Sequence, residues 1–126
     1  MIGSPAYLLL DQAVMIVNEA FPDGQCYFVG SARERRDYRD VDVRLILDDK
    51  AFLRHFPKSH PDAINDDGRV DALWSLICAS ISERLAKITG LPIDFQIQSQ
   101  SHANRLYGEK SREPLGIFIR KPKGTL

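Results

Sequence analysis

GSARERRDYRDVDVRLIL, residues 30–47, carries two features from which the rest of the chain can be placed: a Gly-Ser pair and, eight residues later, an Asp-x-Asp that opens an alternating run. Val41, Val43, Leu45 and Leu47 fall on one side of that run, and Asp40, Asp42, Arg44 and Ile46 on the other. A period of two is a strand signature, so 40–47 is expected to form a strand with an apolar and a polar face. Residues i and i+2 of a strand point the same way, about 7 Å apart along it. Asp40 and Asp42 should therefore stand side by side, with Arg44 next on the same face.

Working upstream, the apolar run 26–29 reads as a buried strand that stops at Gly30-Ser31. Before it, Ser4-Pro5 looks like an N-cap and a first-turn proline. Leu9, Leu10, Ala13, Val14, Ile16, Val17 and Ala20 then recur at helical spacing to about Phe21, and Pro22-Asp23-Gly24 makes a turn. Downstream, 48–56 suggests a short helix, and 57–70, with prolines, a glycine and aspartates, an exposed loop or lid. Asp71 can cap a long helix ending near Thr89, its core stripe being Leu73, Leu76, Ile77, Ile81, Leu85 and Ile88, with Trp74 on or beside it. Gly90 and Pro92 end that helix. Residues 93–98 alternate again, Ile93, Phe95 and Ile97 against Asp94, Gln96 and Gln98. A short helix over 102–107, a strand over 117–119 and a basic tail of Arg120, Lys121 and Lys123 complete the pattern. The expectation is one domain over 1–126, of α/β (α+β) class, with a short mixed sheet and helices packed on one face.

With 126 residues there is room for one core, and a second domain for an acceptor is not expected. Formal net charge is zero, which argues against a broad electropositive nucleic-acid surface. Cys26 and Cys78 sit in apolar segments without a CxxC partner and read as buried free thiols of a reducing compartment. Together with the scattered His55, His60 and His102 they cannot build a zinc site. No basic leader and no apolar run of about 20 residues is present, so a cytoplasmic protein without a membrane anchor is expected.

The Gly-Ser turn, the Asp-x-Asp pair and a third carboxylate on a later strand, in PIDFQI, together resemble the nucleotidyltransferase superfamily, which includes polymerase-beta-like and minimal nucleotidyltransferases. The likeness spans roughly residues 7–99. A looser likeness, in DFQIQ, Ala103-Asn104, Tyr107-Gly108 and Pro114-Leu115-Gly116, is to nucleotidyltransferase-type proteins encoded by bacteriophages. The resemblance implies that Asp40, Asp42 and Asp94 are catalytic and hold two Mg2+ ions, with Mn2+ as a substitute. It implies that Gly30, Ser31 and Arg33 bind the phosphates of a nucleoside triphosphate. Hard oxygen ligands do suit magnesium, and paired carboxylates suit ions about 4 Å apart. Glycine allows close approach of backbone to phosphate, and arginine forks match its oxygens. The implied reaction transfers a nucleoside monophosphate, AMP by family habit, to an acceptor hydroxyl with release of pyrophosphate, Asp94 serving as base.

Two departures concern the phosphate loop: the eight-residue spacer is short, and Glu34-Arg35-Arg36 stands where a glycine often follows the arginine. Arg44 has two readings, a phosphate ligand or a charge partner of Asp40 and Asp42. Gln96 and Gln98 are either base or acceptor contacts or ordinary polar residues of an open face. The arginine run reads equally as a solvated face paired with Glu34 and Asp37. The acceptor is RNA, protein or a small molecule, and part of its site must come from a second copy, as in a homodimer, from a partner protein or from the acceptor itself. The alternative function is a catalytically silent nucleotide- or partner-binding regulator, antitoxin-like, on the same fold.

Overall fold

The computed structural model describes residues 2–35, 37–59, 71–108 and 111–117. The elements run α1 (Ser4–Ala13), α2 (Met15–Ala20), β1 (Gly24–Val29), a single 3-10 turn (Ser31–Arg33), β2 (Val41–Leu47), α3 (Asp49–His55), α4 (Ala72–Thr89), β3 (Ile93–Ser99), α5 (Gln100–Leu106) and β4 (Glu113–Pro114). The class is α+β, with a four-stranded mixed sheet in the order β3-β2-β1-β4. β2 is antiparallel to β1 and parallel to β3, and β4 runs antiparallel to β1. Because β2 and β3 are parallel, a crossover must join them, and α4 supplies it.

The apolar half of the 40–47 alternation plays out as expected, whereas Arg44 and Ile46 on the other face are also buried. Val41, Val43, Leu45 and Leu47 are fully buried and join Cys26, Phe28, Phe95, Ile97, Leu10, Val14, Phe52, Phe56 and Leu85 in one core. The strand itself begins at Val41, whose N–H donates to Pro92 O at 2.8 Å, and Asp40 lies on the exposed coil before it.

α4 departs from its expected stripe. Asp71 does cap it, accepting from Trp74 N at 3.0 Å, and Gly90 closes it in the left-handed conformation at φ 72°. Leu85 is fully buried and Ile77, Ile81 and Trp74 pack against the core as expected, yet Leu73, Leu76 and Ile88 are exposed, and the inward side also carries Cys78 and Ser82. Trp74, Cys78 and Ser82 address the outward backbone groups of β3. Trp74 Nε1 donates to Ile97 O at 2.7 Å, Ile97 N donates to Cys78 Sγ at 3.4 Å, and Phe95 N donates to Ser82 Oγ at 2.9 Å. A helix that lies along a sheet edge must bring hydrogen-bonding side chains as well as apolar ones, which an apolar stripe alone does not reveal.

At the N-terminus, the cap is Gly3 rather than Ser4, and Val14 divides the expected helix in two. Asn18 is the reason the second piece faces inward. Fully buried, it accepts from Cys26 N at 2.8 Å and donates to Leu115 O at 2.9 Å. Leu115 N in turn donates to Cys26 O at 3.0 Å. Asp11, also buried, accepts from Gly116 N at 2.7 Å. The 113–116 segment is thus strapped to β1 and the first helices, and the short strand precedes the expected 117–119 run. Ile117 is exposed coil, and 118–119 lie outside the described residues, as do the basic tail and residues 60–70 of the expected lid.

Both cysteines are free and buried, and burial pushes the Cys26 thiol up to about 12 and that of Cys78 up to about 11. Neither is a reactive thiol at neutral pH. No helix among the described residues is long and apolar enough to cross a membrane.

The Asn18 clamp makes a direct prediction. Asn18→Leu keeps the volume but strands the buried Cys26 N–H, while Leu115 O keeps a bond from Gln25 Nε2, at a cost of about 1–3 kcal/mol. Urea denaturation checks this, and a loss below about 1 kcal/mol would show that the strap is not carried by Asn18.

Candidate active site

The site is assembled by strand register. Val29 at the end of β1 pairs with Asp42, and Asp42 pairs with Asp94 on β3. Aligned residues share a face, so the Asp42 and Asp94 carboxylates emerge together just beyond the end of β1. The next row joins Tyr27, Arg44 and Gln96.

Gly30 follows Val29 with φ 82° and ψ −172°, a region that is essentially closed to other residues. It also sits against Asp42: a Cβ at Gly30 would lie 2.1 Å from Asp42 Oδ2. Both the conformation and the space require glycine. The chain then makes the 3-10 turn, with fully buried Ala32 anchoring it and Arg35 N donating to Ser31 O at 2.9 Å. Ser31 is exposed beside Gly30. The Gly-Ser turn therefore abuts the Asp-x-Asp strand, as the sequence pattern requires.

Asp42 is half-buried, and burial raises its carboxyl above the usual range. Arg44 opposes that shift, and the negative charges of Asp94 and Asp40 add to it. Of the three aspartates, Asp42 is the one that feels the charges of the other two. As they stand, no three His, Cys, Asp or Glu side chains among the described residues form a group able to hold a metal ion.

Arg44 is the buried partner of this row. Its side chain is 6% exposed, and Nη2 lies 3.7 Å from Asp42 Oδ1 and 3.4 Å from Asp94 Oδ2. Those two oxygens are therefore closer together than the sum of the two distances. Nη1 donates to Asp94 O at 2.7 Å and Val43 O at 3.2 Å, and Nε donates to the Tyr107 hydroxyl at 3.3 Å. Of the two readings of Arg44, the charge partner matches this burial. Tyr107 is a site residue that sequence reasoning missed as such, since it meets Arg44 only through the fold, from the end of α5.

The other expected residues are spread. Arg33 is half-buried, its Nε is withdrawn from solvent and unpaired, and its charge acts on the Tyr7 phenol. That phenol donates to Glu113 Oε2 at 2.7 Å, and burial together with Glu113 pushes its pKa up. Arg35 is engaged by Asp37 through two hydrogen bonds of 3.0 and 2.8 Å, the solvated pairing that the arginine run also suggested. Arg36 lies outside the described residues. Gln98 is 3% exposed and donates to Gln96 Oε1 at 3.3 Å, whereas Gln96 is half-buried.

Two predictions follow from this geometry. Gly30→Ala combines a forbidden conformation with a clash on Asp42 and should cost about 1–3 kcal/mol in urea melts. Asp42→Asn should have the opposite sign. A carboxyl whose folded pKa is raised binds its proton more tightly folded than unfolded. It therefore withdraws stability as pH climbs from the ordinary carboxylate range through its folded pKa. The asparagine variant is expected to be more stable than wild type at pH 7, with the gap closing toward pH 4. Paired urea melts at those two pH values decide it, and a less stable variant at pH 7 would refute the crowding.

Comparison of the chain with protein-family models, with curated proteins and with solved structures gave no match.

Proposed function

We propose that this protein is a minimal nucleotidyltransferase, transferring a nucleoside monophosphate, AMP by family habit, from a triphosphate to an acceptor hydroxyl. The observation that carries the reading is the contact between Gly30 and Asp42, which puts a side-chain-free turn beside a crowded carboxylate. Strained glycine turns and perturbed carboxylates gather at functional sites because neither is favourable for stability alone.

The donor type, though not a formed cluster among the described residues, suits a hard divalent cation. The donors are carboxylate oxygens, and Asp42 Oδ2 packs directly against the bare Cα of Gly30. Asp40 and Asp42 would hold the ion. Magnesium there would neutralise charge developing on the phosphate oxygens. The exposed Gly30-Ser31 turn offers amides and a hydroxyl to the outer phosphates. The acceptor oxygen forms its bond to the α-phosphorus as the bond from that phosphorus to the bridging oxygen breaks. Pyrophosphate leaves with the electron pair, and the acceptor proton passes to Asp94. Holding the two reactants in line supplies most of the acceleration in chemistry of this kind.

Part of the acceptor site would come from a second copy or from a partner protein. Leu73 and Leu76 on α4 and Leu8 on α1 expose apolar surface compatible with such a contact. RNA, a protein hydroxyl and a small molecule are the acceptor classes.

A second reading is favoured by Arg44, which already neutralises Asp42 and Asp94: a silent nucleotide- or partner-binding regulator, antitoxin-like in role. Two measurements separate the readings. Calorimetry with non-hydrolysable analogues of the four ribonucleoside triphosphates should give Mg2+-dependent binding that Asp40→Asn/Asp42→Asn abolishes. Pyrophosphate release in the presence of candidate acceptors then marks an enzyme, and binding without release marks the regulator. A folded wild type that binds no triphosphate would remove both.

A further inference from the structure

We infer that Tyr107 and Gln96 read the base of the triphosphate and select one that presents carbonyl oxygen to them, uracil or guanine, over adenine and cytosine. The inference rests on the nucleotidyltransferase reading and replaces the adenine of family habit.

Asp42 and Asp94 are each the second residue of their strand, so the sheet face continues from them in one direction only. The next row that way is Tyr27, Arg44 and Gln96, about 7 Å along the strands. Tyr27, Gln96 and Tyr107 are half-buried, so a ligand can reach them. Gln98, one row further, is 3% exposed and out of reach. Tyr38, on the other side of the carboxylates, packs against the core. A base whose phosphates lie at Gly30-Ser31 and the carboxylates thus meets phenol and amide groups in this row.

Two hydrogen bonds decide what the row offers. Arg44 Nε donates to the Tyr107 oxygen at 3.3 Å, and a guanidinium keeps its protons in proteins. Tyr107 is therefore held as an acceptor toward Arg44, and its own O–H is left to donate elsewhere. Gln98 Nε2 donates to Gln96 Oε1 at 3.3 Å, which commits the acceptor of Gln96 and leaves its NH2 to be presented. Neither the Tyr107 O–H nor the Gln96 NH2 has an acceptor among the described residues, and the Tyr27 hydroxyl has no hydrogen-bond partner among them. Arg112 adds charge of the same sense. Its guanidinium lies 5.6 Å from the Tyr27 ring centroid and donates to Asn104 Oδ1 at 2.8 Å. The row is thus a set of donors beside a cation. Guanine offers it O6 and N7 and uracil O4, whereas adenine and cytosine bring an exocyclic amino group, donor against donor. A donor that exchanges water for another donor is left unpaired, which is how a hydrogen-bonding site rejects the wrong ligand.

The test is calorimetric titration of the whole chain, in Mg2+, with non-hydrolysable analogues of ATP, CTP, GTP and UTP. Wild type is expected to bind the GTP or the UTP analogue about tenfold more tightly than either of the other two. Gln96→Glu, which puts an oxygen where the amide nitrogen stands, should shrink that ratio several-fold, whatever its added charge does to all four. Tyr107→Phe, which removes one donor, should shrink it too. The readout is a ratio between ligands, which a loss of stability alone does not move. Equal binding of the four analogues, or tightest binding of the ATP or CTP analogue, overturns the inference and leaves the nucleotidyltransferase reading standing. A wild-type preference that either variant retains in full overturns it in the same way. No binding of any analogue by a folded wild type removes that reading as well. Should Gln96→Glu not fold, the ranking on wild type and on Tyr107→Phe still decides.

Discussion

The outward backbone groups of β3 impose the constraint from which the site follows. β3 is an edge strand, and the N–H and C=O groups of Phe95 and Ile97 turn away from β2. Left bare, such an edge is an invitation to pair with another chain. Trp74, Cys78 and Ser82, at successive i+4 steps of α4, meet these groups one after another. The helix therefore cannot slide or roll relative to the strand without breaking several bonds at once. Locking β3 in this way fixes the register that sets Asp94 beside Asp42, and it does so from the side of the strand away from the site.

The opposite edge is managed by a different device. β4 is two residues long, too short to cover β1, and the buried amide of Asn18 completes the pairing by joining Cys26 to Leu115. One edge is sealed by a helix and the other by a strap, so the site can occupy the end of β1 without itself supplying stability. That separation matters, because its members are poor stabilisers: a glycine in a closed region of backbone space, a raised carboxyl and a buried guanidinium. On the proposed function these are the places where stability is surrendered for chemistry, with the cost carried by the edges.

Much of this was legible in the sequence because two-residue alternation survives any tertiary context that buries one face. Val41 to Leu47 and Ile93 to Ile97 are strands in which the apolar set points inward, and the aspartates had to share the other face. Gly30 was legible for a related reason, as a residue whose lack of a side chain is itself the signal. The stripe of α4 was legible only in part: Ile77, Ile81 and Leu85 do face the core, but Leu73, Leu76 and Ile88 do not, while the sheet edge required tryptophan, cysteine and serine. Period-3.6 apolarity reports which side could be buried, and hydrogen-bonding demand from a neighbouring strand overrides it. Tyr107 was invisible as a partner of Arg44, because nothing in either neighbourhood encodes a contact across 63 residues. Arg44 itself was recognisable as a charge partner, but its depth was not.

The placement of the arginines bears on how a triphosphate would be held. Arg33 turns its Nε inward beside Tyr7, Arg35 is taken by Asp37, and Arg44 is buried under the carboxylates. The run that looked like a phosphate clamp is thus largely committed to the protein itself, leaving Arg39 exposed next to Asp40. On the proposed function, the negative charge of the substrate would then be met chiefly by backbone amides of the Gly30-Ser31 turn and by a divalent ion. Amides fixed by a buried Ala32 anchor need no reordering when a phosphate arrives, whereas long arginine side chains would have to be immobilised. On the same proposal, the charged run Glu34-Arg35-Arg36, where the resembled family commonly has glycine, would lie outside the phosphate contacts. The atoms that would face the phosphates remain those of Gly30 and Ser31.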